Sequence, residues 1–117
     1  MAKGRFYWKS TCSTCRDARS FILNDLNAEV EERNYAKAPL TLDELKALFH
    51  EADPREYINP KSPAFKAMAL KGKSLTQKQA LDLMAQEPNL IKRPVTVVGR
   101  RIIAGFDRDA LREAFKA

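Results

Sequence analysis

The sequence predicts an α/β domain: a mixed four-stranded sheet flanked by helices and carrying a helical insertion. Three observations predict it. A strand pattern, a helical pattern and a second strand pattern follow one another over residues 5–35. Such a unit builds a parallel strand pair, because its connection has to cross over. Residues 93–104 hold two β-branched stretches joined by Gly99-Arg100, which reads as an antiparallel hairpin. Between these regions, over about residues 41–88, the pattern is helical throughout.

Each element has its own signal. The first strand, residues 5–9, is short and contains Phe6-Tyr7-Trp8. Residues 14–26 follow helical spacing through Cys15, Ala18, Ile22 and Leu26, with Phe21 on the flank and Asn24-Asp25 and Asn27 weakening the end. Residues 30–35 form the second strand, although Glu31 and Glu32 spoil its alternation. Thr41-Leu42-Asp43-Glu44 is a capping box, opening a helix with Leu42, Leu45, Leu48 and Phe49 on one face that Asp53-Pro54 is expected to end. Residues 54–74, with Pro54, Pro60 and Pro63, read as loop with a short helix around residues 64–69. Thr76 and Gln79 open another helix, whose Ala80, Leu83 and Met84 face inward before Pro88 stops it. Pro94 opens the third strand, a position that proline tolerates. After the hairpin, Asp107 caps a last helix with Leu111, Ala114 and Phe115 on its buried side. This order is that of a thioredoxin-like fold with a helical insertion.

At 117 residues the chain holds one core and is expected to be a single domain over residues 1–117. The longest apolar runs are a few residues long, so no membrane span is expected. Met1-Ala2-Lys3-Gly4-Arg5 leads straight into a strand with no signal-peptide apolar region, and a cytoplasmic location is the expectation. Net charge is +6, which suits nucleic acid, small anions or an acidic partner. Lys92, Arg93, Arg100 and Arg101 crowd one segment. No recognition helix or nucleic-acid motif accompanies that charge, so direct nucleic-acid binding is not expected.

The chemistry concentrates at Cys12-Ser13-Thr14-Cys15, which holds both cysteines of the chain. Zinc would need two further ligands, and His50 is the only nitrogen ligand on offer, so carboxylates would have to supply the rest. Two inert buried thiols are a second reading. The third is redox or nucleophilic chemistry, and placement at a strand-to-helix junction favours it. Unpaired N–H groups of a first helical turn stabilise negative charge, and such surroundings lower a thiol pKa from ~8.5 into the range ~3.5–7.5. Cys12 is then the nucleophile and Cys15, one turn later, its resolving partner. Arg16 stands on that first turn, close enough to steady a thiolate or an anionic substrate. Arg93-Pro94 is a place where a cis peptide can lie. Lys61 sits in the proline-bracketed Asn59-Pro60-Lys61-Ser62-Pro63, a loop of the kind that carries function. His50 reads as an exposed or capping residue, and Trp8 as a packing residue or a lid over the site.

With these residues in place, the chain resembles the arsenate reductase family, specifically its Spx-like branch. The resemblance rests on residues 6–16 and on Val30-Glu31-Glu32-Arg33-Asn34-Tyr35. It continues through Pro39-Leu40-Thr41-Leu42-Asp43-Glu44-Leu45, Asn59-Pro60-Lys61-Ser62, Leu90-Ile91-Lys92-Arg93-Pro94-Val95 and Ala104-Gly105-Phe106. It implies a thioredoxin-like fold, a catalytic Cys12 and a cis peptide before Pro94. In arsenate-reducing members the cysteine attacks arsenate, arginines hold the oxyanion, and glutathione with glutaredoxin completes the reduction. Carried over, Cys12 is the nucleophile and Arg93 the arginine of the Arg-Pro motif, which joins Arg16 and Lys61 as the anion-binding candidates. Lys61 stands where the family commonly has an arginine, and lysine lacks the bidentate fork. Trp8 stands where the reductases tend to carry a histidine. Spx-type members are transcriptional regulators that bind the RNA polymerase α subunit and switch a Cys-x-x-Cys between dithiol and disulfide. Here Ala52-Asp53-Pro54 replaces their polymerase-contact glycine, and the sequence ends at Ala117 without their tail. The expectation is therefore a thiol-disulfide oxidoreductase that reduces arsenate or a disulfide through Cys12, with glutathione, glutaredoxin or thioredoxin as partner; the alternative is an Spx-type redox-sensing regulator that binds the RNA polymerase α subunit. No bound cofactor or metal is expected, and glutathione serves as co-substrate.

Overall fold

A computed structural model describes residues 4–116, so the expectations for residues 1–3 and for the end at Ala117 fall outside it. The elements are β1 (Gly4–Trp8), α1 (Ser13–Ser20), β2 (Val30–Asn34), α2 (Leu42–Leu48), α3 (Pro63–Ala67), α4 (Gln77–Gln86), β3 (Val95–Val98), β4 (Arg101–Ala104) and α5 (Arg108–Lys116). The sheet order is β2-β1-β3-β4. β1 pairs parallel with β2, and the β1–β3 and β3–β4 pairs are antiparallel. This is the mixed four-stranded sheet of a thioredoxin-like α/β fold.

The chain divides into two compact units. One is made by the chain up to Ala38 and from Arg93 onward, the other by Pro39–Lys92. In the first, Phe6 of β1, Val98 of β3 and Ile103 of β4 form a core with Ala18 of α1, Ile22, and Leu111, Ala114 and Phe115 of α5. Trp8 packs against this cluster with its ring 6.0 Å from that of Phe6 and the Arg19 guanidinium 5.4 Å above it. The Glu31 and Glu32 that spoil the alternation of β2 belong to an edge strand, where charge discourages pairing with another chain. Glu32 meets Arg19 at 2.6 Å, tying that edge to α1.

The helical pattern over residues 14–26 does not continue as one α-helix. After Ser20 the chain widens into a π-helical segment, Phe21–Asp25, closed by Leu26 N–H on the Phe21 carbonyl at 2.9 Å. The wider turn lets adjacent Phe21 and Ile22 both enter the core. Asn27, at φ 50°, then ends it in the left-handed region that asparagine tolerates. In the hairpin, Gly99 takes the first turn position at φ 61°, which glycine adopts without strain.

The second unit is organised by its caps. Both expected capping boxes are formed. Glu44 N–H donates to Thr41 Oγ1 at 3.1 Å and Thr41 N–H to Glu44 Oε1 at 3.0 Å; Gln79 and Thr76 repeat the exchange at 3.1 and 2.8 Å. α2 ends at Leu48, before the expected stop, and Asp53-Pro54 instead starts a 3₁₀ turn, Pro54–Tyr57. Asp53 is a good N-cap and Pro54 a good first helical residue, so the pair initiates where termination was expected. α2 packs on α4, burying Leu45, Leu48, Ala80 and Met84. The short helix α3 covers residues 63–67, capped by Ser62, against an expectation of 64–69. Among the described residues, no helix is long and apolar enough to cross a membrane.

Gly4 is fixed by close approach. A Cβ there would lie 2.9 Å from the Phe115 ring and 3.1 Å from the Val97 carbonyl oxygen. The ring can shift slightly, but the backbone oxygen cannot. Gly4→Ala is expected to cost about 1–3 kcal/mol, the scale of overpacking. The check is the urea midpoint, which should fall with an unchanged m-value.

Candidate functional site

Parallel pairing of β1 and β2 sets their carboxyl ends side by side, so the loops that follow them meet. Ligand sites of open α/β sheets lie at such ends. The loop after β1 runs from Lys9 to Cys12, and the residues that hold it come from the end of β2. Asn34 Oδ1 accepts from the Ser10 N–H at 3.3 Å and from the Ala36 N–H at 3.2 Å, while Asn34 Nδ2 donates to Ser10 Oγ at 2.9 Å. Cys12 N–H closes the turn on the Lys9 carbonyl at 2.9 Å.

Held in this way, Cys12 is the N-cap of α1, with an extended backbone at φ −100° and ψ 120°. Its sulfur does what a capping serine oxygen does elsewhere, accepting the Cys15 N–H at 3.4 Å. A thiolate accepts that bond better than a thiol does. Burial is the largest single influence on Cys12 and opposes its ionisation. Hydrogen bonds from the Cys15 side chain and backbone, the positive charge of Arg93 and the Thr14 N–H together outweigh it, holding Cys12 below an ordinary thiol pKa.

Cys15 is the opposite case. It is fully buried, and that burial, reinforced by the neighbouring Cys12 sulfur, pushes it up to about 12 against the pull of the Lys9 N–H and Arg93. One turn of helix therefore holds a half-exposed sulfur whose charged form is favoured and a hidden sulfur whose charged form is disfavoured. The two lie near disulfide distance. Such a pair can exchange with a disulfide: the exposed sulfur attacks and the buried one follows.

Of the candidates read from the sequence, Cys12 and Cys15 stand one helical turn apart, and the positive charge of Arg93 acts on both sulfurs. The Arg93–Pro94 peptide bond is cis. Arg16 is exposed, and its guanidinium donates to the Ser10 carbonyl at 2.9 Å, bracing the cysteine loop. Lys61 lies in the other unit, exposed, in a turn whose N–H is held by Asn59 Oδ1 at 3.0 Å. His50 is exposed just beyond α2. Among the described residues, no group of three or more His, Cys, Asp or Glu is placed to hold a metal ion.

Two neighbours of the cysteines were missed as site residues. Asn34 clamps the loop, as described. Tyr35 is buried at 2% exposure, and its N–H bonds the Trp8 carbonyl at 2.9 Å. Its hydroxyl is pushed well above the ordinary phenol range by burial first and by Cys15 second, with Arg93 acting against them. The signal that could have found both is topological, since they end the strand paired in parallel with the one that leads to Cys12.

Known proteins are similar to this chain over most of its length. The YusI protein of Bacillus subtilis is 33% identical over 112 residues, covering 92% of this chain and 94% of that protein. The global transcriptional regulator Spx of Listeria innocua is 31% identical over 108 residues, covering 91% of this chain and 82% of that one. The crystal structure of an ArsC-family-related protein from Bacteroides fragilis superposes with a TM-score of 0.80 at 26% identity, over 95% of this chain and 96% of that one. The ArsC family pattern itself matches residues 7–114, which takes in the Cys12 loop, the Asn34–Tyr35 clamp and the Arg93–Pro94 segment, and so this chain belongs to the ArsC family.

Proposed function

We propose that this protein is a thiol-disulfide oxidoreductase in which Cys12 attacks and Cys15 resolves. The observation that carries the reading is the asymmetric pair: a half-exposed Cys12 sulfur capping α1 beside Arg93, with Cys15 fully buried one turn later. The Cys12 thiolate attacks a substrate disulfide, forming a mixed disulfide and expelling one thiolate, which takes up a proton. Cys15 then loses its proton and attacks the Cys12 sulfur, releasing the second thiol. Two electrons have passed to the substrate and the pair has become a disulfide. Glutathione, glutaredoxin or thioredoxin returns it to the dithiol, and glutathione can also resolve the mixed disulfide in place of Cys15.

The ArsC family includes arsenate reductases and Spx regulators. Lysine at position 61 and tryptophan at position 8 favour a disulfide over arsenate as substrate, because neither supplies what the reductases are expected to place there. A second reading, a redox-sensing regulator that binds the RNA polymerase α subunit in the cytoplasm, is favoured by the 31% identity to Spx over most of both chains. It predicts capture of the α subunit that depends on the state of both cysteines, without turnover.

The test is alkylation of the two single-cysteine variants across pH. In Cys15→Ser, the remaining Cys12 should react with a midpoint below that of a free thiol, because its charged form is stabilised and appears at lower pH. In Cys12→Ser, the remaining Cys15 should stay unreactive through neutrality. Mild oxidation of the wild type should yield an internal disulfide by mass spectrometry. An ordinary thiol midpoint for Cys12 and no internal disulfide would sink the mechanism.

A further inference from the structure

Tyr35 is 2% exposed, and its hydroxyl proton has no acceptor within hydrogen-bond reach, while the Arg93 guanidinium faces its oxygen. Buried phenol groups are normally satisfied, and one left alone destabilises the fold unless something else holds it there. The residue is anchored where the chemistry is. Its N–H bonds the Trp8 carbonyl at the end of β1, and the preceding Asn34 clamps Ser10. The groups that act on its hydroxyl are Cys15, Arg93 and Cys12. A guanidinium has donors only, so Arg93 can offer the phenol hydrogen nothing. Of the three, only the sulfurs can accept it.

The two sulfurs differ in need. Cys12 is half-exposed and already accepts the Cys15 N–H. Cys15 is fully buried, so water does little to stabilise negative charge on it. We propose that the Tyr35 hydroxyl is kept free in the dithiol state to donate a hydrogen bond to the Cys15 sulfur as that sulfur becomes a thiolate. This deepens, and rests on, the reading of Cys12 as attacker and Cys15 as resolver. In the step concerned, the Cys15 thiol gives up its proton to solvent and its sulfur attacks Cys12 Sγ. The Cys12–Cys15 bond forms, the bond from Cys12 to the substrate sulfur breaks, and the departing thiolate leaves with the electron pair and takes a proton from solvent. Tyr35 keeps its own proton throughout.

The experiment mixes the reduced full chain with a small excess of the aromatic disulfide 5,5′-dithiobis(2-nitrobenzoate). The first release of thionitrobenzoate reports attack by Cys12, and the second reports Cys15 displacing the adduct from Cys12. In Tyr35→Phe the first rate should stay within about twofold of wild type, while the second falls by roughly tenfold or more, the scale of a hydrogen bond to a charged acceptor. The pH profile of the second phase should move to higher pH. The thermal midpoint should stay close to that of wild type, since the change removes a buried hydroxyl whose proton has no acceptor. An unchanged second phase, an equal slowing of both phases, or a fall in thermal midpoint each overturns the inference. A wild type that shows no second phase overturns the attacker–resolver reading itself, and the inference with it.

Discussion

Cys12→Ser is expected to abolish disulfide reduction while leaving the fold intact or more stable. The separation of the two effects is what makes the result informative. Serine is a better N-cap than cysteine, and its shorter reach to the Cys15 N–H, now 3.4 Å from sulfur, leaves the α1 terminus capped. Its hydroxyl does not ionise near neutrality, so the stabilising groups around position 12 have no anion to act on. Turnover of a small disulfide in a glutathione-coupled assay should fall by roughly 10³-fold or more, the scale on which removal of a nucleophile acts. The thermal midpoint should not fall with it. Turnover that survives the substitution would remove Cys12 from the mechanism.

Phe6→Ala is expected to have the largest effect on stability. Phe6 is 0% exposed, pairs with Glu32 in β2 and with Thr96 in β3, and lies in the core shared by α1 and α5. Truncating it leaves a cavity in the middle of the sheet, against helices that cannot close over it. The cost is about 3–5 kcal/mol, against a total stability of about 5–15 kcal/mol for ordinary domains. The urea midpoint should drop accordingly at constant m-value. A change below about 1 kcal/mol would mean that the neighbouring rings of Trp8 and Phe115 collapse into the space.

What the sequence shows and what it hides divide along one physical line. The capping boxes at Thr41 and Thr76, the hairpin at Gly99-Arg100 and the placement of Cys12 before a helix are local, carried by residues a few positions apart, and each is read directly from the chain. The polar face of β2 looked like a flaw until its edge position explained it. The π-helical end after Ser20 depends on where the core is, which helical spacing does not reveal. At the site, Arg16 stands beside the cysteines in sequence but turns to Ser10, while the charge acting on both sulfurs comes from Arg93, far along the chain. Asn34 and Tyr35 become site residues only through the parallel pairing of their strand. Long-range pairing is the information a linear pattern lacks.

The parallel pair β1–β2 has one more consequence. A parallel pair cannot close through a tight turn, so the connecting chain has to travel back across the sheet, and here that return path is α1 with Cys12 at its start. The segment that completes the sheet is the same one that makes the thiol acidic. An unfolded molecule has neither the register of β1 against β2 nor the capped turn, and it carries an ordinary cysteine. Below the ordinary thiol range of pH, fast alkylation at Cys12 alone thus doubles as an internal gauge of how much of a preparation is folded, since an unfolded chain reacts slowly there and opens Cys15 to the probe as well.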